Sequence, residues 1–408
     1  MVETTIVGAG PAGLISAEVL AKRGMEVNVI DKDVAPGERK PCGGMLRIDA
    51  ANLFHIPWKL ANRKIKGIRV ILPDHLTEEV DYSRVISLNI DRGALGEYLI
   101  DRVKKLGVSV NTGTKVVDVT QPHSNGSGSY ELTCLSAGGR TQRVGAGLLV
   151  AADGTSSIVV KKTRTHRAFK PDQLGQCVQY QMELDNNLID RRIGDRNEMY
   201  YGHDVSPLGY AWIFPKDNQV TVGVGSLLSA VKVNLRNYLD YLVRKHPVAS
   251  RKLSDAKILK FETALCPLSG VISPTYGNNL IVVGDAAGHC SPISGEGIYY
   301  SMVAGGIAGE VASQGIKDED LSVGYLKRYE HQWRAKFGSD LRWGKWFEGI
   351  ANRGGFMSRT FKKDTPVKDS LSRKITDILG GIRPYRDTLV RALPEFLIGK
   401  IFQMIGGN

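Results

Sequence analysis

The sequence predicts an α/β chain (α+β overall): a Rossmann dinucleotide-binding domain, an antiparallel-sheet domain beside it and a helical C-terminal region. Three observations predict this class. The N-terminus reads strand, glycine-rich turn, helix, strand and acid. A second apolar strand followed by a small-residue loop recurs at Leu280–Ala312. Between them, Gln176–Glu183 and Tyr210–Val224 alternate as strands of an antiparallel sheet.

The first signal is TTIVGAGPAGLISAEVLAKRGMEVNVIDK. A β-rich run ends at Gly8, and Gly8, Gly10 and Gly13 fit G-x-G-x-x-G. Leu14–Lys22 has helical apolar spacing, Gly24 ends it, and VNVID is the next strand. The first glycine allows a tight turn and the second lets backbone approach a pyrophosphate. The third lets helix and strand pack closely, with the helix N-terminus facing the phosphates. Asp31 ends the second strand, where an acid can bind a ribose hydroxyl. The second signal, LIVVGDAAGHCSPISGEGIYYSMVAGGIAGEVA, runs through Gly284 and Asp285 to a helix opening near Gly295 and Gly297. Val108–Val119 and Tyr130–Leu135 read as strands of a small sheet, with SNGSGS as a hairpin tip. No second GxGxxG occurs, so no separate nicotinamide domain is expected.

Composition narrows the function. The 408 residues allow two or three subdomains. Five widely spaced cysteines, with no CxxC, argue against zinc ribbons, iron–sulfur clusters and a disulfide framework, so no metal is expected and the compartment reads as reducing. No signal peptide is expected before the first strand, and no apolar run reaches the ~18–20 residues of a membrane span. Half of the net charge of +12 lies in residues 351–408, where eleven Lys/Arg face five Asp/Glu. That excess reads either as a solvated basic surface or as a contact for anionic lipid headgroups. No nucleic-acid motif accompanies it, so no nucleic-acid partner is expected.

Taken together, several motifs carry a resemblance. The GD…P…G.G pattern is similar to the second FAD motif of the glutathione-reductase-like flavoproteins, in the p-hydroxybenzoate hydroxylase branch. LLVAADGTSSIVV resembles the ADG motif of that branch, with Asp153 and Gly154. NIDRGALGEYL resembles its Asp-Arg helix start. GYAWIFP (Gly209–Pro215) and PCGG followed by Met45 resemble the YxWxFP motif and the cysteine-containing flavin loop of the geranylgeranyl reductase family. SGEGIYYS is similar to the corresponding segment of the chlorophyll-type members.

The resemblance implies FAD as cofactor and reduction of isolated prenyl double bonds. It implies that Ala12 and Asp31 bind the ADP half and that Cys42, Gly43 and Met45 lie along the flavin. Arg92 and Val117 would hold the nucleotide side. Asp285, Gly297 and Ile298 would close the site, with Gly295 at the opening of a helix aimed at the flavin edge. Archaeal geranylgeranyl glycerolipid is the leading substrate, beside menaquinone and chlorophyll-pathway chains. An aromatic hydroxylase and a prenyl-binding escort are the other classes weighed. An external electron donor, NAD(P)H or ferredoxin, is implied.

Alkene reduction needs a proton as well as a hydride, so Cys42 is either a chemical participant or a polarizable packing residue. His289 and Cys290 read as cofactor-loop packing. Tyr210, Trp212 and Phe214 share one strand face, forming either a sheet-core stripe or the wall of an isoprenoid tunnel. Tyr299 either faces substrate or packs in the core. Leu389, Leu393, Leu397, Ile401 and Ile405 recur every four residues. Their helix packs on the core or lies at a membrane interface, and Pro394 is expected to start or kink it. The expected division is 1–165 with 265–320 as the FAD-binding domain, 166–264 as the substrate sheet and 321–408 as the helical region. The expected location is cytoplasmic, with peripheral contact at the inner membrane face as a further possibility.

Overall fold

A computed structural model describes residues 3–38, 40–120, 129–351 and 368–405. The glycine-rich turn leads from the strand Thr4–Val7 into the helix Pro11–Lys22, and the chain returns as Val27–Ile30. These strands sit in a six-stranded sheet with the order 276–277, 280–282, 148–151, 4–7, 27–30, 109–111. All neighbouring pairs are parallel except at the two-residue edge Tyr276–Gly277. Parallel strands need helical crossovers, and the apolar stretches Thr4–Val7 and Leu148–Ala151 are buried along their whole length.

The helix Ile298–Lys317 packs across Pro11–Lys22, and small residues make the crossing close. A Cβ on Gly305 would meet the Ala12 carbonyl oxygen at 2.3 Å, and one on Gly309 would meet Val19 Cβ at 2.6 Å. This contact ties the two glycine-rich segments, nearly 300 residues apart, into one nucleotide-binding layer.

The second layer is a seven-stranded sheet in the order 257–267, 174–183, 219–227, 209–215, 196–200, 67–71, 77–81. It reaches across the expected boundaries. Gly67–Ile71 pairs in parallel with Arg196–Tyr200, so residues from the N-terminal region complete the large sheet. No local pattern announces a parallel pairing between segments so far apart. The expected long strand Tyr210–Val224 is two strands, Gly209–Pro215 and Gln219–Leu227, turned at Asn218 in the left-handed region (φ 51°). Thr114–Thr120, Tyr130–Ser136 and Thr141–Ala146 form a small antiparallel sheet. The SNGSGS tip lies outside the described residues apart from its last serine. Ser109–Asn111, expected in the small sheet, instead joins the parallel one.

The helix Lys368–Leu379 buries Leu371, Ile375, Ile378 and Leu379, the i, i+4, i+7, i+8 stripe of an amphipathic helix. Leu371, Ile375 and Leu379 share a core with Met45, Trp212 and Phe214 of the sheet layer. The last helix runs Tyr385–Ile405, so Pro394 lies inside it and does not start it. Pro384 immediately precedes that helix and supplies the start signal. Leu389 is buried and Leu393 is 42% exposed, so the fourfold repeat does not share one environment. The side chains of Leu397, Ile401 and Ile405 lie outside the described residues. Among the described residues, no helix is long and apolar enough to cross a membrane. No group of three or more His, Cys, Asp or Glu could hold a metal ion among them either. All five cysteines are free thiols.

Candidate active site

Two cavities flank the junction of the layers. The first, about 330 Å³, lies over the glycine-rich turn and is lined by Gly8, Gly10, Asp31, Arg92 and Asp153, among others. Gly8 has φ +110°, and a Cβ there would strike the Ala152 carbonyl oxygen at 2.2 Å. A Cβ on Gly13 would lie 2.0 Å from the Gly8 carbonyl oxygen, which is why helix and turn can touch. Gly10 caps the helix and has open space where its Cβ would be. Asp31 accepts the Ala9 N–H at 2.6 Å and the Asp33 N–H at 2.8 Å, so it also fastens the turn.

Asp153 accepts from Ser157 Oγ at 2.5 Å and from Ile158 N–H at 2.7 Å. Burial nonetheless raises its pKa. Arg92 opens the helix Arg92–Lys104, whose N-cap Asp91 accepts the Ala94 N–H. The buried Arg92 Nε has no protein partner.

Two of the expected residues do not line this cavity. Val117 is 37% exposed and is not on this wall, which Thr114, Lys115 and Val116 supply from the same strand. The Ala12 side chain is not on the cavity wall. It packs beneath Gly284, while the Ala12 backbone lies against Gly305.

The second cavity, about 280 Å³, lies against the large sheet. Tyr210, Trp212, Cys177, Ile293, Ile375 and Leu379 are among its lining residues. Tyr210, Trp212 and Phe214 do share one face, but Phe214 takes a different part. It lies under the flavin loop, where a Cβ on Gly43 would meet its ring at 2.1 Å. Tyr210 Oη donates to the Ser294 carbonyl at 2.5 Å, fixing the wall to the Ser291–Gly297 loop. Trp212 Nε1 donates to Gln179 Oε1 at 3.3 Å.

The loop residues meet between the cavities. Cys42 Sγ accepts the Gly44 N–H at 3.4 Å and Arg92 Nη1 at 3.6 Å, and Arg92 also lines the first cavity. Met45 is buried against Trp212 and Phe214 in the shared core. A Cβ on Gly297 would meet Asp285 Oδ1 at 3.4 Å. Burial raises the Asp285 pKa against the pull of Lys40. Gly295 (φ +66°) lines the second cavity, and Gly297 caps the helix that begins at the buried Ile298. Tyr299 does not reach the second cavity. Arg47 lies over its ring, 3.9 Å from the centroid. His289 and Cys290 are buried, with His289 packed on Trp333 and Phe337.

Sequence reading missed three features. The buried Lys216, just past YxWxFP, has a pKa lowered by burial and opposed by Asp91 and Cys42. Cys177 and Cys266 bring their sulfurs to 3.9 Å at the cavity wall, and the bond to Cys266, with burial, pushes the Cys177 thiol up. The third is Glu296. Lys216 had a visible signal, a cation closing an otherwise apolar strand. The thiol pair had none, because strand register alone brings it together.

The residues fit FAD. The cavity over the turn, the open face at Gly10 and the unpartnered Arg92 Nε suit a dinucleotide, and the glycine-rich loops beyond suit a flat ring. The residues at 1–43 match the FAD binding domain model, and 173–265 match the geranylgeranyl reductase catalytic domain model. A geranylgeranyl bacteriochlorophyll reductase-like protein from Thermoplasma acidophilum superposes with a TM-score of 0.81 at 22% identity, over 97% of this chain and 99% of that one. The flavin-dependent halogenase CmlS gives a TM-score of 0.68 at 17% identity, over 97% and 77%. Fold and site thus define an FAD-dependent oxidoreductase.

The sequence relatives go further. The digeranylgeranylglycerophospholipid reductase of Methanocaldococcus jannaschii is 32% identical over 341 residues, 82% of each chain. Digeranylgeranylglycerophospholipid reductase 2 of Methanococcoides burtonii is 31% identical, over 83% of this chain and 81% of that one. The chain belongs to the geranylgeranyl reductase family.

Proposed function

We propose that this enzyme saturates isolated double bonds in the geranylgeranyl chains of archaeal membrane glycerolipids. The observation that carries the reading is the second cavity, apolar along Trp212, Ile293, Ile375 and Leu379 and adjoining the Ser291–Gly297 loop. Its apolar stretch suits a branched hydrocarbon, with polar groups such as His203, Ser206 and Ser226 also on the wall. The names of the curated relatives support the same substrate class.

Bound reduced FAD supplies a hydride, and the second carbon must gain a proton. The chain's part is to hold the prenyl segment against the cofactor, keep water out and provide that proton. Both hydrogen bonds to Cys42 use its sulfur as acceptor. We read Cys42 as holding the flavin loop and Arg92 in place through these bonds, which leave its S–H free. An external donor of the NAD(P)H or ferredoxin class would re-reduce the flavin. The enzyme would work from the cytoplasm, taking lipid at the inner membrane face. Exposed Trp346, Val390 and Leu393, with the C-terminal basic excess, suit such a contact.

The test is anaerobic. The purified holoenzyme is reduced with dithionite and given geranylgeranylglyceryl lipid, and mass spectrometry follows the product. A gain of two hydrogens per saturated bond is expected. A flavin-bearing enzyme that leaves the lipid mass unchanged would overturn this substrate. A gain on menaquinone instead would reassign it.

A further inference from the structure

The Ser291–Gly297 loop that closes the apolar cavity has a polar chamber behind it. Glu296 is partly exposed as a residue, yet its Oε2 is sealed from solvent and has no protein partner. Its Oε1 accepts the Tyr299 N–H at 2.7 Å, and the Ile298 backbone also bears on the carboxyl. Tyr300 Oη is likewise buried without a partner. An ionised carboxylate is costly in such a place, and a neutral carboxylic acid much less so. Burial pushes the Glu296 pKa up to about 7 even against Arg47.

The groups facing it come from every neighbouring element. Arg47 and Asp49 come from the strand-to-helix segment after the flavin loop, and Tyr299 and Tyr300 from the helix behind it. Cys290 comes from the preceding loop, and Asp340 and Tyr385 from the C-terminal helices. Arg47 is the nearby cation, and Asp49, with its side chain 49% exposed, pairs with it at the outer side.

Hydroxyls lie between this chamber and the cavity, and Tyr385 is near enough to feel the Glu296 charge, although no hydrogen bond joins its hydroxyl to the Glu296 carboxyl in this structure. Tyr385 Oη lies 2.7 Å from Ser291 Oγ and 3.4 Å from Ser294 Oγ. Ser294 lines the apolar cavity, and its Oγ also accepts the Glu296 N–H at 3.4 Å. Each hydroxyl can accept a proton on one side and give one on the other.

We propose that Glu296 is the proton source for the reduction, acting through the hydroxyls of Tyr385 and Ser294. This rests on the alkene-reductase reading above. In the balance, one alkene carbon takes a hydride, with its two electrons, from reduced FAD. The other takes a proton passed along the hydroxyls. Glu296 is left as a carboxylate balanced by the Arg47 cation, and it regains a proton from solvent at the Asp49 side.

Two arms test this on the full-length holoenzyme. In the first, single-turnover reduction of the prenyl lipid by dithionite-reduced enzyme is followed across pH 7. Wild type is expected to lose rate as the pH rises through about 7. Glu296→Gln is expected to keep its flavin and lose on the order of 10²-fold or more in rate. Its residual rate should be flat across that range. Tyr385→Phe, which keeps the ring and removes the relay oxygen, is expected to show the same flattening. A Glu296→Gln enzyme with the rate and pH profile of wild type would overturn the proposal, as would an unaltered Tyr385→Phe.

The second arm needs no substrate. Thermal melts of wild type and Glu296→Gln are compared across pH. The variant should melt higher above pH 7, and the difference should close as the pH falls to 4.5. Equal melting at every pH would overturn the neutral carboxyl. A wild type that reduces no prenyl lipid overturns the function and this proton's role with it. The melting arm still decides whether Glu296 stores one. Should Glu296→Gln fail to fold, Tyr385→Phe and the wild-type pH profile decide the case.

Discussion

Cys42 and Glu296 divide the work that a single thiol first suggests. Cys42 receives two N–H donors, one from the next turn of its own loop and one from Arg92, whose neighbouring atoms line the nucleotide cavity. Removing the sulfur should loosen that loop without removing the proton. Cys42→Ala is expected to keep FAD and to lose less than the ~10² that removal of a general acid costs. Flavin content and single-turnover rate, measured together, check this. Glu296 has the opposite character, a group whose folded pKa of about 7 lies above its ordinary 4.5. The stabilisation of its neutral form is complete below 4.5 and is lost as the pH rises through about 7. The full shift corresponds to roughly 3 kcal/mol. The higher melting of Glu296→Gln at alkaline pH follows from that sign.

Among elements, the glycine-rich turn has the least room for change. Gly13 has the Gly8 carbonyl where its Cβ would sit, and Gly8 has Ala152 in the same place. Gly13→Ala must push the helix Pro11–Lys22 off the strand ends, costing about 1–3 kcal/mol. The same shift misaligns the helix N-terminus on the phosphates. We expect lower melting and loss of bound FAD, read by differential scanning calorimetry and the flavin absorbance of the purified protein. Gly10→Ala has open space for the Cβ, and only the ligand itself stands to meet it, so it should spare melting and weaken FAD. The pair separates packing from cofactor approach within one motif.

The whole molecule sets the shape of the apolar cavity. That cavity draws on the large sheet, the loop after Asp285 and the helix Lys368–Leu379. Tyr82 of the sheet region anchors that helix by donating to Asp377 at 2.7 Å. A larger side chain there should close the cavity from a position far in sequence from every cofactor motif. Ile375→Trp is expected to leave flavin content unchanged and to raise KM for the prenyl lipid at least several-fold. An unchanged KM would remove this helix from the substrate wall.

The sequence by itself determined the nucleotide layer, because its signals are local. A glycine at 8 or 13 is required by backbone approach within one turn, one at 10 by the approach of a ligand, and Asp31 by the strand that carries it. Gly209–Pro215 declared its shared face by alternation alone. The motifs that named the family, YxWxFP and PCGG, are short and contiguous for the same reason. Tertiary structure alone decided the rest. It assigned Gly67–Asp81 to the large sheet and kept Val117 off the nucleotide cavity wall. It laid Arg47 on Tyr299 and closed the cavity with a C-terminal helix. It also left Glu296 sealed beside Arg47. Each of these depends on which distant segments meet, and burial by distant segments gives Glu296 a chemistry that its place in the chain does not announce.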